Sequence, residues 1–403
     1  MSLETYKPGS YPDLPPPAGT VGVYGWLKNN LFSSVSNSLL TILSVILLYY
    51  LIDSIIGWFF FDAVFDADSK IECRKINDGA CWAVITRRVG QFVYGFYPEA
   101  ERWRIDLTFY TMFFAFAPLL YPDLPKRKWL LWFSGIYPIF AFFLINGGFF
   151  GLPKIEYSLF GGFMLTVILG VSGIVCSLPI GILLALGRQS KLTVVRTLSV
   201  CFIEFMRGVP LITLLFVASS MLNYFMPPGT NFSILVRVII MFTFFSAAYI
   251  AEVIRGGIQA IPKGQYEAAD ALGLNYWQTT RFITLPQALK ISIPGIMNTF
   301  IGLYKDTTLV VVIGLLDPLG IGRAALADTK WNGLSTETYL FVALFFFVSC
   351  FAMSRYSLWL ENKLNTEYFI QECHQLGVNP VAVEWYVETP LDLSRQLSSI
   401  RQK

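Results

Sequence analysis

Long apolar runs separated by short polar segments fill most of the chain from Ser36 onward. A bilayer hydrocarbon core about 30 Å thick takes ~20 residues of helix. Eight segments meet that pattern: 36–61, 106–121, 129–150, 159–187, 209–226, 232–252, 294–316 and 336–358. The segment 106–121 is short and bounded by Asp106 and Pro122, so it reads either as a span or as an interfacial or re-entrant piece. The run 159–187 contains Gly161, Gly162, Gly170, Gly173, Gly181 and Gly187. Small residues let helices approach closely where van der Waals packing is the main attraction, which predicts a buried bundle helix there.

Composition explains how so many apolar residues are tolerated. Of 403 residues 55% are hydrophobic and 14% charged, with 35 Phe, and a soluble domain cannot hide that much apolar surface. Lipid as solvent removes the difficulty, and the fold class expected is an all-α integral membrane protein. A net charge of +3 is too small to suggest nucleic acid as a partner. A single histidine argues against zinc chemistry and histidine-based acid–base catalysis. Residues 1–25 lack the basic-then-apolar order of a cleaved signal, so the first span is expected to be retained.

Basic residues orient the spans. Lys126, Arg127 and Lys128, then Arg188, Lys191 and Arg196, then Arg255, Lys263 and Arg281, and finally Arg355 and Lys363 all fall on one side of eight spans. Both termini, including residues 1–35 and the polar tail 361–403, are then cytoplasmic. The loop 62–105 becomes periplasmic, although its basic residues, Lys70, Arg74, Lys75, Arg87, Arg88, Arg102 and Arg104, run against the rule. Cys73 and Cys81 lie in that loop and are either a disulfide closing a small loop or two unpaired thiols. Cys176, Cys201 and Cys350 read as packing residues, and Cys373 as a reduced cytoplasmic thiol.

The segment between the sixth and seventh spans reads Glu267-Ala268-Ala269, three residues, Gly273, nine residues, then Ile283-Thr284-Leu285-Pro286. Pro262 can open a short helix that Glu267, Ala268, Ala269 and Ala271 continue. Gly273 suits a left-handed terminating position. Asn275 with Gln278 three residues on has the form of a capping box, and Pro286 is expected to end the second short helix. Two short helices meeting at a bend, with alanines on one face, suit a groove on a partner protein.

This spacing resembles the EAA loop of ABC importer membrane subunits. The flanking text is similar to the polar amino acid permease branch: Ala248 through Ile258, Ile261 through Gln265, Leu285 through Ala288, Lys305 through Leu309, and Glu204 through Pro210. The likeness covers about 159–360, the five-helix core of a type I ABC importer, and leaves 36–150 as an N-terminal transmembrane extension. Gly79 through Ile85 and Tyr94 through Arg104 are similar to the large permeases of general L-amino acid importers. The resemblance implies import of L-amino acids across a bacterial inner membrane. It also implies a heterodimer with a second permease, two ATP-binding subunits docked on the loop, and a periplasmic amino acid-binding protein. ATP and Mg would be bound by the partner ATPase and no cofactor by this chain, which has no phosphate-binding glycine loop. The subunit is then not an enzyme itself. A permease for another small polar solute remains the nearest alternative. A secondary transporter is further away, because no inverted second copy is visible.

Several charged residues admit two readings. Glu267 is either a docking-face charge that meets the ATPase or a solvated loop carboxylate. Lys305 and Asp306 fall near the middle of the seventh segment, where charges are costly and usually functional. Together with Thr307 and Thr308 they either line a substrate path, Lys305 facing a carboxylate and Asp306 an ammonium, or fix the bundle as an internal pair. Glu204 with Arg207, and Glu252 with Arg255, have the spacing of structural pairs on one helix face.

Overall fold

The computed structural model describes residues 22–121, 124–148, 151–221, 224, 227 and 232–364. Residues 1–21, Pro122, Cys373 and the tail from residue 365 onward lie outside the described residues. The chain forms two compact units, one ending at Ala83 and one beginning at Val84. Helices dominate both, and among the described residues only isolated bridges pair extended backbone.

The first unit holds α1 (Gly22–Asn30), α2 (Val35–Ile56) and α3 (Lys70–Ile76). Ser34 caps α2 by accepting from the Asn37 amide, and a π-turn carries the helix on to Phe61. No residue of α2 is buried, as expected of a helix solvated by lipid. Beyond it, Cys73 and Cys81 form a disulfide across the loop. Val64 N–H donates to the Ala80 carbonyl at 2.8 Å, and Trp82 Nε1 donates to the Phe59 carbonyl at 3.0 Å. Val64, Ala67, Cys73, Ala80 and Trp82 are buried there, so the loop is a small folded cap.

The second unit runs through α4 (Ala83–Tyr94, whose first residue closes the preceding unit), α5 (Arg102–Leu120), α6 (Arg127–Asn146), α7 (Gly162–Arg188), α8 (Thr193–Gly208) and α9 (Leu211–Phe216). It continues with α10 (Ile234–Gln259), α11 (Lys263–Ala271), α12 (Tyr276–Thr279), α13 (Leu285–Asp306), α14 (Pro318–Ala327) and α15 (Ser335–Leu364). The glycine-rich run is the buried helix the sequence predicts: α7 packs on α10, and a Cβ at Gly181 would meet Ile250 at 2.9 Å or less. On the other side α10 packs on α13. There a Cβ at Gly257 would lie 2.6 Å from the Ala288 carbonyl oxygen, and the Ser292 hydroxyl donates to the Val253 carbonyl at 3.2 Å. Asp317 caps α14 by accepting from the Gly320 amide at 2.9 Å.

Among the described residues six helical stretches are long and apolar enough to cross a membrane: Val35–Phe61, Arg127–Asn146, Gly162–Arg188, Ile234–Gln259, Tyr276–Ile313 and Ser335–Leu364. A seventh arises if Thr193–Gly208 and Leu211–Met221, bent by 103°, count as one broken span. The expected span 209–226 therefore begins at a corner, because Pro210 has no N–H with which to continue α8. The expected span 106–121 is a helix outside this set, with Arg102, Arg104 and Asp106 in its first turns and Pro118 near its end. The seventh expected segment starts earlier than Pro294, because the helix already runs from Tyr276.

Candidate functional site

Local chemistry shapes the elbow between α10 and α13. Pro262 precedes α11, and Ala269 alone of α11 is buried, while Glu267 and Ala268 are exposed. Gly273 sits at φ 71°, the left-handed region that favours glycine, with open space around the position a Cβ would take. Asn275 and Gln278 form a reciprocal capping box, at 3.0 Å in each direction. Four large apolar side chains stand out around the bend: Leu272 is 75% exposed, Trp277 71%, Phe282 66% and Tyr276 54%. Such a patch on a polar loop marks a contact surface for another protein or for the membrane.

Pro286 does not end the second helix. The Leu285 amide donates to the Thr280 carbonyl in a π-turn, Thr280–Thr284, and Pro286 stands in the first turn of α13. The wider turn shifts the hydrogen-bond register by one residue just where proline lacks a donor, so the helix passes on unbroken. Ile283 and Leu285 are half-buried within this continuous helix, and Pro286 is exposed. The helix extends from Tyr276 past Asp306, then tightens to a 3₁₀ segment over Thr307–Ile313.

At the far end of that helix, α10 and α13 enclose a pocket of about 280 Å³ lined by Phe245, Ser246, Tyr249, Thr299, Gly302, Leu303 and Asp306. Ser246 is 1% exposed, and its hydroxyl has no hydrogen-bond partner among the described residues. Asp306 lines this pocket; Lys305 is exposed and is not among the lining residues. Thr307 and Thr308 turn inward to their own backbone, donating to the Tyr304 and Lys305 carbonyls at 2.7 and 2.9 Å. They hold the change from α to 3₁₀ helix. Ser246, Tyr249 and Thr299 were not foreseen, although Thr243, Ser246, Tyr249 and Glu252 recur every third residue on an otherwise apolar helix.

One turn along α10 from Tyr249 lies a cluster of five charges from three helices. Arg188 reaches Glu204 at 2.8 Å and Glu252 at 3.3 Å, and Arg207 reaches Glu252 at 3.7 Å. Arg255 Nε donates to Glu252 at 3.0 Å and its Nη1 to Gln259 at 2.7 Å. The spacing of Glu252 with Arg255 is thus a contact. Glu204 instead bonds across to α7, and Arg207 to α10, because α8 faces both neighbours. The Arg207 guanidinium also lies 5.6 Å from the centroid of the ring of Tyr249, which lines the pocket.

Comparison with known proteins identifies the family. Residues 177–366 match the family described as binding-protein-dependent transport system inner membrane component. The chain is 45% identical to the glutamate/glutamine/aspartate/asparagine transport system permease protein BztC of Rhodobacter capsulatus, covering 88% of this chain and 96% of that one. It is 48% identical to the inner membrane amino-acid ABC transporter permease protein YhdY of Escherichia coli, covering 89% and 97%. A shorter relative, the probable amino-acid ABC transporter permease protein YckA of Bacillus subtilis, is 36% identical over 46% of this chain and 79% of its own. The chain belongs to the amino-acid ABC transporter permeases, within the family of binding-protein-dependent inner membrane transport components.

Proposed function

We propose that this subunit translocates L-amino acids and that the elbow 262–286 couples it to a partner ATPase. The observation that carries this reading is the continuous helix Tyr276–Ile313, which begins in the exposed elbow and forms one wall of the polar pocket. Thr279 and Asp306 are 27 residues apart, roughly 40 Å of helix. A rigid element of that length passes a push at one end to the other.

In this reading the subunit pairs with a second permease, and two ATP-binding subunits dock on the elbows, where Leu272, Tyr276, Trp277 and Phe282 supply apolar contact and Glu267 charge. A binding protein delivers substrate on the opposite face. The elbow, the basic residues Arg188, Lys191, Arg196, Lys263 and Arg281, and both termini face the cytoplasm, and the loop 62–105 the periplasm. Closure of the ATPases on ATP moves the elbows, and α10 and α13 shift against each other between outward and inward access.

The pocket suits a zwitterion. Asp306 takes the ammonium group, the unpartnered Ser246 hydroxyl a further hydrogen bond, and Arg207, which stacks on the lining residue Tyr249, the carboxylate. The four amino acids named for the Rhodobacter relative are the first to test. The complex of this chain with its partner subunits, reconstituted in vesicles, is expected to take up labelled glutamate, glutamine, aspartate or asparagine only with ATP and the binding protein present. Uptake that persists without ATP would overturn the coupling. ATP hydrolysis without uptake of any amino acid in a wider panel would overturn the substrate.

A further inference from the structure

A second cavity lies apart from the polar pocket. The helices α5 and α6 pack on each other, with the Ser134 hydroxyl donating to the Ala115 carbonyl at 2.6 Å and the Tyr137 hydroxyl to the Thr108 carbonyl at 2.6 Å. At one end this hairpin joins the core, where Tyr97, Ile105, Ile145 and Phe160 cluster with Met164 and Leu165, and at the other Tyr121 meets Trp359 of α15. Further along, the hairpin stands off α7 and α10, and a cleft of about 290 Å³ remains. Its lining is almost wholly apolar and runs from Ile145 and Asn146 at one end to Ala115, Ser134 and Cys176 at the other.

We infer that this cleft holds one acyl chain of a phospholipid from the leaflet at the C-terminal end of α6, with its headgroup at Asn146. Protein interiors are close-packed, and a void of this size at membrane depth is filled by whatever solvent is there. Water is a poor occupant of apolar walls, whereas a cavity of roughly 150 Å³ already admits a benzene-sized apolar molecule. The length agrees as well. Ser134 and Asn146 are 12 residues apart along α6, roughly 18 Å. Half of a hydrocarbon core of about 30 Å is ~15 Å, the depth of one leaflet.

The end at Asn146 carries the polar mark. Asn146 is 8% exposed, lines the cleft, and its Oδ1 has no hydrogen-bond partner among the described residues. The neighbouring Arg104 is engaged, with Nη2 at 2.6 Å from Glu101 and Nη1 donating to the Pro153 carbonyl at 3.1 Å. Arg104 Nε is also without a hydrogen-bond partner among the described residues, but Arg104 does not line the cleft, so the open group on the lining is the neutral Asn146 acceptor, which suits the ammonium of an ethanolamine headgroup. A choline headgroup has no N–H to offer it.

The test uses the assembled transporter in vesicles of phosphatidylethanolamine and phosphatidylglycerol, doped with phosphatidylethanolamine carrying a diazirine midway along one acyl chain. After illumination, adducts mapped by mass spectrometry are expected on Met112–Phe116, Ser134–Ala141 and Val171–Cys176. Val171→Trp, which fills the cleft, is expected to reduce them about tenfold while leaving adducts on α15 unchanged. The choline analogue should label these peptides about fivefold less, and Asn146→Leu should abolish that preference, as expected for loss of one charge-assisted hydrogen bond. Adducts spread evenly over α15 and the cleft, or unaltered by Val171→Trp, would overturn the site. Equal labelling by both analogues in the unaltered protein would overturn the headgroup assignment. The readout is independent of transport, so it stands or fails separately from the substrate reading.

Discussion

The α10–α13 contact and the elbow that follows it use the same small residues for opposite ends. In the contact, Gly257 is glycine because the neighbouring backbone leaves no room for a side chain, the Ala288 carbonyl oxygen lying 2.6 Å from where a Cβ would be. In the elbow, Gly273 has open space on every side, and its backbone at φ 71° is what requires glycine. The first region is specified by packing inside one chain. The second is specified by a shape presented outward, with large apolar groups left exposed around it. Small residues in a membrane protein therefore answer to two different constraints, and substitution tells them apart.

The largest effect is expected in the contact. Gly257→Leu adds four carbons against backbone, where overpacking alone costs roughly 1–3 kcal/mol and a rigid obstacle costs more. Folded protein recovered after detergent extraction should fall severalfold; Leu43→Ala on the exposed α2 should leave recovery unchanged. Equal recovery of both variants would remove the packing argument. Next comes the elbow. Gly273→Val places a β-branched residue at positive φ, a strain of about 1–3 kcal/mol. Insertion and yield should be normal, and ATP-dependent uptake should drop at least several-fold. Normal substrate-stimulated ATP hydrolysis with full uptake would refute this.

A further effect, seen only as a pH dependence of stability, concerns a buried carboxyl in neither region. Asp317 is 0% exposed, its Oδ2 has no hydrogen-bond partner among the described residues, and burial pushes its carboxyl up to about 6. A native pKa above the unfolded value means the folded chain holds the proton more tightly. Stability from this group is then greatest below about pH 4 and is lost as pH rises through 6, on the order of 3 kcal/mol. Asp317→Asn keeps an acceptor for the Gly320 amide and ends the titration. Its thermal midpoint should exceed that of the unaltered complex at pH 7.5 and approach it at pH 4.5. An unchanged pH dependence would contradict the assignment.

Much of this was legible in the sequence because it is local. The bend at Gly273 and the capping box of Asn275 with Gln278 follow from neighbours a few residues apart, and so does the glycine-rich core helix. Pro286 misled because its missing donor was weighed without the π-turn that absorbs it. Long-range contacts were not readable: Glu204 finds Arg188 sixteen residues away, on α7, rather than Arg207 on its own face. Lys305 looked equivalent to Asp306 in a hydropathy pattern, yet only Asp306 lines the pocket, since adjacent helical residues point about 100° apart. The stand-off of α5 and α6 from the core left no periodic trace at all.

The central claim is that the exposed elbow is the ATPase contact. Its most direct test is co-purification of the ATP-binding subunit with a complex carrying Leu272→Asp and Trp277→Asp together. The permease pair should assemble and insert normally while the ATP-binding subunit, and with it ATP-driven uptake, is lost. Full retention of that subunit with undiminished uptake would contradict it.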